Sequence, residues 1–369
     1  MTVGVLNTNP RHFYFKELIF LYMKILVVPD IHGNYAAALQ NIQDHKDEVD
    51  KVVWLGDGVD DFYEDLNGQP MIDGLNKLIE FKNNEPNKFE LLFGNHDLSY
   101  LAQTRHGECV SGHHYEYADK YKKIFEDNID KFNIIYKVDN ILFSHAGVSQ
   151  QWLQHVKYFI NLKHEFDDVP QELMDRYNDL DYKSHNINEV YFDGMIFSLV
   201  NAETEEEKAR IAEYRKIQAN LQNQINKTFE EMQSYKKDYY KYASYKFLNE
   251  VFHTPHMGDP YNAEIFEHCG WNSSGDSSGE SCVWIRPDSL LQDSWPRGIK
   301  YQVVGHTECR NKNYVYKNKH LILTDTRGHN TYRILDTEKM DELEYIPYDV
   351  TPKNYSDTDV ALLKLLELL

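Results

Sequence analysis

The stretch VVPDIHGNYAAAL, from Val27 to Leu39, sets the reading of the whole chain. An apolar run of strand length stops at Pro29 and meets Asp30, His32, Gly33 and Asn34 at once, with no turn residue between Asp30 and His32. Two strong metal-binding side chains therefore stand two residues apart, where a strand gives way to a loop. The pattern returns along the chain. KVVWLGD runs into Gly56-Asp57 with Asp60 beyond; KFELLFGNHD ends in Gly94-Asn95-His96-Asp97; ILFSHAG carries His145; KYQVVGHTE ends in Gly305-His306. Between the first three runs lie stretches of helical spacing, from Tyr35 to about His45 and in MIDGLNKLIEF, and LSYLAQ begins another helix. Apolar strands alternating with helices predict a parallel sheet buried on both faces. Functional loops in such sheets gather at the carboxyl ends of the strands.

FNIIYKVDNILFSHAG reads as a hairpin closed by Asp139-Asn140. WNSSGDSSGES, from Trp271 to Ser281, reads as a flexible loop. CVWIRP reads as a strand, and YVYKNKHLILTDT as a further hairpin. In between, the texture changes. The charged stretch after Glu203 lacks Pro and Gly and places Ile211, Tyr214, Ile217, Leu221 and Ile225 on one helical stripe, which predicts one or two long helices. The expected organisation is an N-terminal extension over 1–22, a catalytic domain over 23–150 and 255–350, a helical insertion over 151–254 and an amphipathic C-terminal helix, VALLKLLELL, within 351–369. MKILVVPDIHGN, opening at Met23 directly on the first core strand, reads as the natural start. The insertion is expected to pack as a solvated cap that mediates oligomer or partner contact, with substrate gating as the sharper alternative.

Composition narrows the function. The chain has 369 residues and a formal net charge of −20, enough length for a large core and a charge that repels nucleic-acid duplexes and anionic membranes. A small phosphorylated substrate stays open, because a bound cation can invert the local field. FYFKELIFLYMKILVV is too short and too charged to span a bilayer. Cys109, Cys269, Cys282 and Cys309 form no C-x-x-C pair, so they read as free thiols in a cytoplasmic protein.

Hard oxygens and imidazoles without thiolates suit Mn²⁺, Fe or Zn²⁺. The ligand types on these loops are too many for one ion. Two ions sharing a carboxylate, roughly 3.5–4 Å apart, would use most of them and clamp both oxygens of a phosphoryl displacement.

D-x-H-G, G-D-x-x-D, G-N-H-[DE], an isolated His and a late G-H, in that order, resemble the calcineurin-like metallophosphoesterases. The resemblance covers residues 24–147 closely and resumes around 281–328. It is closest to the phosphoprotein phosphatase branch, which includes bacterial and phage serine/threonine phosphatases and diadenosine tetraphosphatases. VVWLGDGVDDF matches that branch's GDxVDRG in spacing, and GHTE puts Glu308 where other branches place a second histidine. The resemblance implies an α/β (α+β, four-layer) fold, a β-sandwich of mixed sheets flanked by helices. It implies two divalent ions, Mn²⁺ first, with Asp30 and His32 on one, Asp57 bridging, and Asn95, His145 and His306 on the other. It implies direct attack by a hydroxide between the ions, with His96 as the general acid oriented by Asp60. The family's arginine after the second motif is Asp61 here, so another cation must grip the phosphate. Arg286 in VWIRP is the first candidate and Arg327 in TDTRG the second. Asp325 is expected to support the site, and His113, His114, His253 and His256 to be ordinary loop histidines.

The leading expectation is a metal-dependent phosphomonoesterase of the serine/threonine protein phosphatase kind. Two alternatives stand beside it. One is a nucleotide or dinucleoside polyphosphate pyrophosphohydrolase, with Tyr115, Tyr117 and Trp271 as stacking candidates. The other is a scaffold that binds through the helical insertion.

Overall fold

The computed structural model describes residues 22–60, 68–101, 110–163, 166–192, 204–238, 243–253, 265–266, 275–309, 320–326 and 332–343. The expected N-terminal extension up to residue 21, the C-terminal helix, Asp61, Arg327, His256, Trp271, Cys109 and Cys269 lie outside them. Two compact units emerge: Met1–Trp152 with Tyr245–Leu369, and Leu153–Ser244.

The first unit is built on two sheets. In one, β1 (Lys24–Val28), β2 (Lys51–Trp54), β3 (Phe89–Leu92) and β4 (Phe132–Asn133) run parallel. The antiparallel edge strand β9 (Arg333–Asp336) completes it beside β1. Helices α1 (Tyr35–His45) and α2 (Gln69–Asn84) follow β1 and β2, as the alternation predicts. The other sheet has the order β5 (Ile135–Val138), β6 (Ile141–Ser144), β7 (Tyr301–Val304), β8 (Leu321–Leu323). The β5–β6 pair is the expected hairpin, closed where Val138 faces Ile141, with Asp139 at φ +48° supplying the turn. Ile25, Val27 and Val53 of the first sheet share one apolar cluster with Phe143, Val303 and Ile322 of the second, so the core lies between the sheets. Leu26 and Val28, on the opposite face of β1, are also buried, which is why these strands read as unbroken apolar runs.

Register then delivers the site. Val28 pairs with Trp54, and Trp54 with Leu91, so the loops after β1, β2 and β3 leave one edge together. Phe143 pairs with Val303, and Gly305 N–H donates to the His145 carbonyl at 2.8 Å, which brings the ends of β6 and β7 side by side.

Two expectations are corrected. CVWIRP is not a strand: Trp284 and Ile285 both donate to the Ser281 carbonyl at 3.0 Å, closing a buried turn. Arg286 is extended (φ −84°, ψ 153°) before Pro287, which opens the helix α10 (Pro287–Gln292). Proline forces the residue before it out of the helical region and suits the first helical position. An apolar run alone does not separate a strand from such a turn. Asn95, His96 and Asp97 lie not on a loop but in the first turn of α3 (Asn95–Leu101), whose first hydrogen bond runs from Leu98 N–H to the Gly94 carbonyl. Of the expected second hairpin only β8 falls among the described residues, and it pairs parallel with β7. After α3, the helix α4 (Ala118–Asp127) packs Tyr121 and Phe125 into the core of this unit.

The chain enters the second unit along α5 (Gln150–Lys163). This unit holds α6 (Gln171–His185), α7 (Ile187–Tyr191) and the 29-residue α8 (Glu205–Gln233). Thr204 and Glu207 form a reciprocal capping box at the start of α8. Leu221 and Ile225 of the predicted stripe pack on Leu180 and Ile187, with Tyr214 and Ile217 beside them. Back in the first unit, α9 (Leu248–His253) buries Leu248, Val251 and Phe252.

Phe143 is fully buried between the sheets. Phe143→Ala is expected to cost about 3–5 kcal/mol of stability, read as a lower midpoint of denaturant unfolding.

Candidate metal centre

The loops after β1 and β2 are tied by their backbones. Ile31 and His32 N–H both donate to the Asp57 carbonyl, at 3.2 and 3.0 Å, and Gly33 N–H donates to the Gly58 carbonyl at 3.1 Å. His32, Asp57, Asp60 and His306 all take positive φ (42°, 53°, 67° and 58°); among the described non-glycine residues only Asp139 joins them. Such conformations cost ~1–3 kcal/mol each and collect at functional sites. Two glycines make room for carboxylates. A Cβ on Gly94 would stand 2.0 Å from Asp57 Oδ1, and one on Gly305 would stand 2.0 Å from Asp30 Oδ1.

The imidazoles are oriented from behind. His145 Nδ1 lies 2.9 Å from the Leu55 carbonyl, and His32 Nδ1 lies 3.1 Å from the Asp60 carbonyl. An Nδ1–H donated to a carbonyl leaves the Nε2 lone pair facing inward. His145 Nε2 is then 2.9 Å from Asn95 Oδ1, 3.2 Å from His306 Nδ1 and 3.4 Å from Asp57 Oδ2. His306 Nδ1 is also 3.1 Å from Asn95 Oδ1, while its buried Nε2 has no partner. Lone pairs of this kind converge only around a proton or a cation. The ligand atoms fall into two groups, His32–Asp57–His96 and Asp57–His145–His306, and Asp57 belongs to both. The donor set therefore fits a pair of divalent ions.

Charge follows the same geometry. Burial alone would raise Asp57, but the His145, His96 and His32 imidazoles hold its carboxyl far below the usual range. Burial pulls His145 down, and the Asp57 and Asp30 carboxylates outweigh it, lifting the imidazole to about 10. His306 is pushed down by burial, then by Arg286 and His145. A divalent ion would take the place of the proton these groups share, because metal ligands bind deprotonated.

Not every expected residue joins the two groups. Asp30 is buried with its carboxylate turned onto the His306 backbone N–H, at 2.9 and 3.1 Å, and 4.0 Å from His145 Nδ1. His96, expected as an acid, lies within the first group: its Nε2 is 3.9 Å from Asp57 Oδ2 and its Nδ1 is 2.9 Å from Asp60 Oδ2. Burial works against the charged His96 ring, and the Asp57 charge and the Asp60 carboxylate raise it above the ordinary histidine range. Arg286 Nη1 donates to the His306 carbonyl at 3.1 Å and lies 3.3 Å from Thr307 Oγ1, which puts its charge beside the second group. Asp325 is buried, and its charge reaches Asp30. His113 joins neither group; its ring stacks on Tyr100 with centroids 4.3 Å apart.

Sequence reasoning gave no role to Asp97. Its carboxylate accepts from three backbone N–H groups, Asp57 at 2.8 Å, Gly94 at 3.0 Å and Gly58 at 3.1 Å. It thereby caps α3 and pins the Asp57 turn together. The available signal was an acid at the third position of a helix opening on Gly94, where it can reach back to the first N–H.

Comparison with known proteins places these residues in a family context. Residues 23–195 match the family model described as calcineurin-like phosphoesterase. Among curated proteins, none matches the chain. Two solved structures align over part of it. One is a protein serine/threonine phosphatase from Saccharomyces cerevisiae with similarity to human phosphatase PP5, at 21% identity and a TM-score of 0.25, covering 34% of this chain and 39% of that one. The other is a metallophosphoesterase from Sphaerobacter thermophilus, at 16% identity and a TM-score of 0.24, covering 36% and 54%. The chain thus spans well under two thirds of either.

Asp97→Asn leaves an amide NH₂ against a backbone N–H whichever way it is turned, because both carboxylate oxygens accept. The expected cost is about 1–3 kcal/mol of stability and about 10–100-fold in metal affinity, checked by thermal melting and by metal titration.

Proposed function

We propose that this chain, whose residues 23–195 match the calcineurin-like phosphoesterase model, is a two-cation phosphomonoesterase of the phosphoprotein phosphatase type. Metal-dependent hydrolysis of a phosphoester is the core of this reading, and the ester and the ions are its finer part. The observation that carries it is the single carboxylate of Asp57 shared by two donor groups. One cation would be held by His32 and Asp57 with Asp30, the other by Asp57, Asn95, His145 and His306. Oxygen and imidazole donors suit Mn²⁺ first. When bound, such a pair supplies Lewis acidity and an activated water.

The chain's own groups supply the rest. Cleavage of the P–O bond leaves an alkoxide or phenoxide that needs a proton. His96, held on the Asp60 carboxylate at 2.9 Å and raised in pKa, gives it. Arg286 presents a guanidinium beside His306 and binds the phosphoryl oxygens. The helical unit contributes none of these residues, and we assign it to partner or oligomer contact. Among the described residues no helix is long and apolar enough to cross a membrane. The buried thiols of Cys282 and Cys309 fit a reducing cytoplasm.

Phosphate release from phosphopeptides, nucleotides and dinucleoside polyphosphates, with Mn²⁺, Zn²⁺ and Mg²⁺ supplied separately, tests the reading. Phosphopeptide turnover with Mn²⁺ is expected; a preference for dinucleoside polyphosphates would overturn it. His96→Ala should lower kcat by about 10²–10⁴ on phenyl phosphate and by much less on 4-nitrophenyl phosphate, whose leaving group needs little protonation. Equal losses would remove His96 from the proton-donor role.

Arg286→Ala should raise KM by about tenfold or more, ~1.4 kcal/mol of phosphate binding, with bound metal unchanged. Arg286→Lys should rescue only part of this, since an ammonium lacks the planar fork.

A further inference from the structure

Behind His96 stands a side chain to which the hydrolytic reading gives no part. Tyr100 is one helical turn beyond His96 on α3, so the two rings share a face. Its hydroxyl donates to Asp60 Oδ1, while Asp60 Oδ2 faces His96 Nδ1 at 2.9 Å. Both oxygens of Asp60 are thereby engaged. Asp60 is fully buried and sits at positive φ.

Tyr100 is clamped in turn. The His114 backbone N–H donates to its hydroxyl oxygen at 3.0 Å, which directs the phenol proton towards Asp60. The His113 ring stacks on the Tyr100 ring, and Tyr121 meets that ring edge-on at 5.0 Å. Ser99 Oγ, on α3, holds His113 Nδ1 at 3.3 Å. Burial and the Asp60 charge keep the phenol protonated, hence a donor.

We propose that Tyr100 is a positioning residue of the hydrolytic site: clamped by His113 and the His114 N–H, its hydroxyl fixes the Asp60 carboxylate and, through it, the proton-donating orientation of His96. The proposal rests on the reading of His96 as the proton donor.

Tyr100→Phe removes the hydroxyl and keeps the stack. In the metal-loaded enzyme we expect kcat on phenyl phosphate to fall about tenfold, part of the worth of a general acid. The loss on 4-nitrophenyl phosphate should be smaller, with KM and metal content unchanged. Added to His96→Ala, the substitution should cause no further loss. In the metal-free protein, the downfield imidazole N–H proton resonance that His96→Ala abolishes should shift in Tyr100→Phe. His113→Ala, at a half-exposed loop position, should cause a smaller loss of the same kind, and it carries the test if Tyr100→Phe misfolds. Equal losses on both esters, additivity with His96→Ala, or an unmoved His96 resonance would overturn the proposal. If His96→Ala itself lacks leaving-group dependence, the hydrolytic reading of His96 fails instead, and the resonance still decides whether the hydroxyl sets the imidazole.

Discussion

Three backbone N–H groups, from Asp57, Gly58 and Gly94, converge on the Asp97 carboxylate, and the geometry of the site depends on that convergence. Asp57 takes a left-handed backbone conformation, which costs any non-glycine residue, though aspartate less than most. The Asp97 bonds hold the turn there, and the turn aims the Asp57 carboxylate across the ends of two sheets. The His96 backbone N–H then donates to Asp57 Oδ1 at 3.0 Å, so the first turn of α3 grips the same carboxylate from a second side. Charge-assisted bonds of this kind are about twice as strong as neutral ones. Buried, they set the Asp57 carboxylate without using the lone pairs turned towards the imidazoles.

The sheets convert this local arrangement into a site. Parallel register fixes which loops meet, and the shared core between the sheets fixes how the His145 and His306 ends face the Asp57 end. The strained positions fall where that meeting occurs. His32, Asp57, Asp60 and His306 sit at positive φ, and packing elsewhere in the sandwich must offset the cost. Gly94 and Gly305 serve the same end by absence of a side chain, since a methyl group at either would occupy the place of a carboxylate oxygen.

Much of this was legible in the sequence, for a physical reason. A strand buried on both faces is an unbroken apolar run, so Asp30, Asp57 and His145 stand out against their neighbours. The stripe on α8 was legible because a long polar helix has few alternatives for five aligned apolar residues. Where the signal was local but ambiguous, reading failed: CVWIRP has the composition of a strand and the geometry of a turn, and only Pro287 hinted at it. Where the signal was non-local, there was nothing to read. Asp97 and Tyr100 act on Asp57 and Asp60, some forty residues earlier, and no spacing rule links the four.

The chain's acidity and its proposed substrate stand in apparent conflict. A protein of net charge −20 gathers Asp30, Asp57, Asp60 and Asp97 into one buried region, where a phosphate dianion would be repelled strongly at low dielectric. The conflict resolves if the carboxylates are there for cations. Buried acids are costly unless paired: burial lifts the Asp30 carboxyl well above the usual range and Asp97 to about 7. Two divalent ions would add four positive charges at the Asp57 edge and reverse the sign of the field that the substrate meets. On this account phosphate binding and metal binding are the same property of the site. Arg286, twenty residues before His306 in sequence but beside it in space, would then need only to orient an anion that the ions had already attracted.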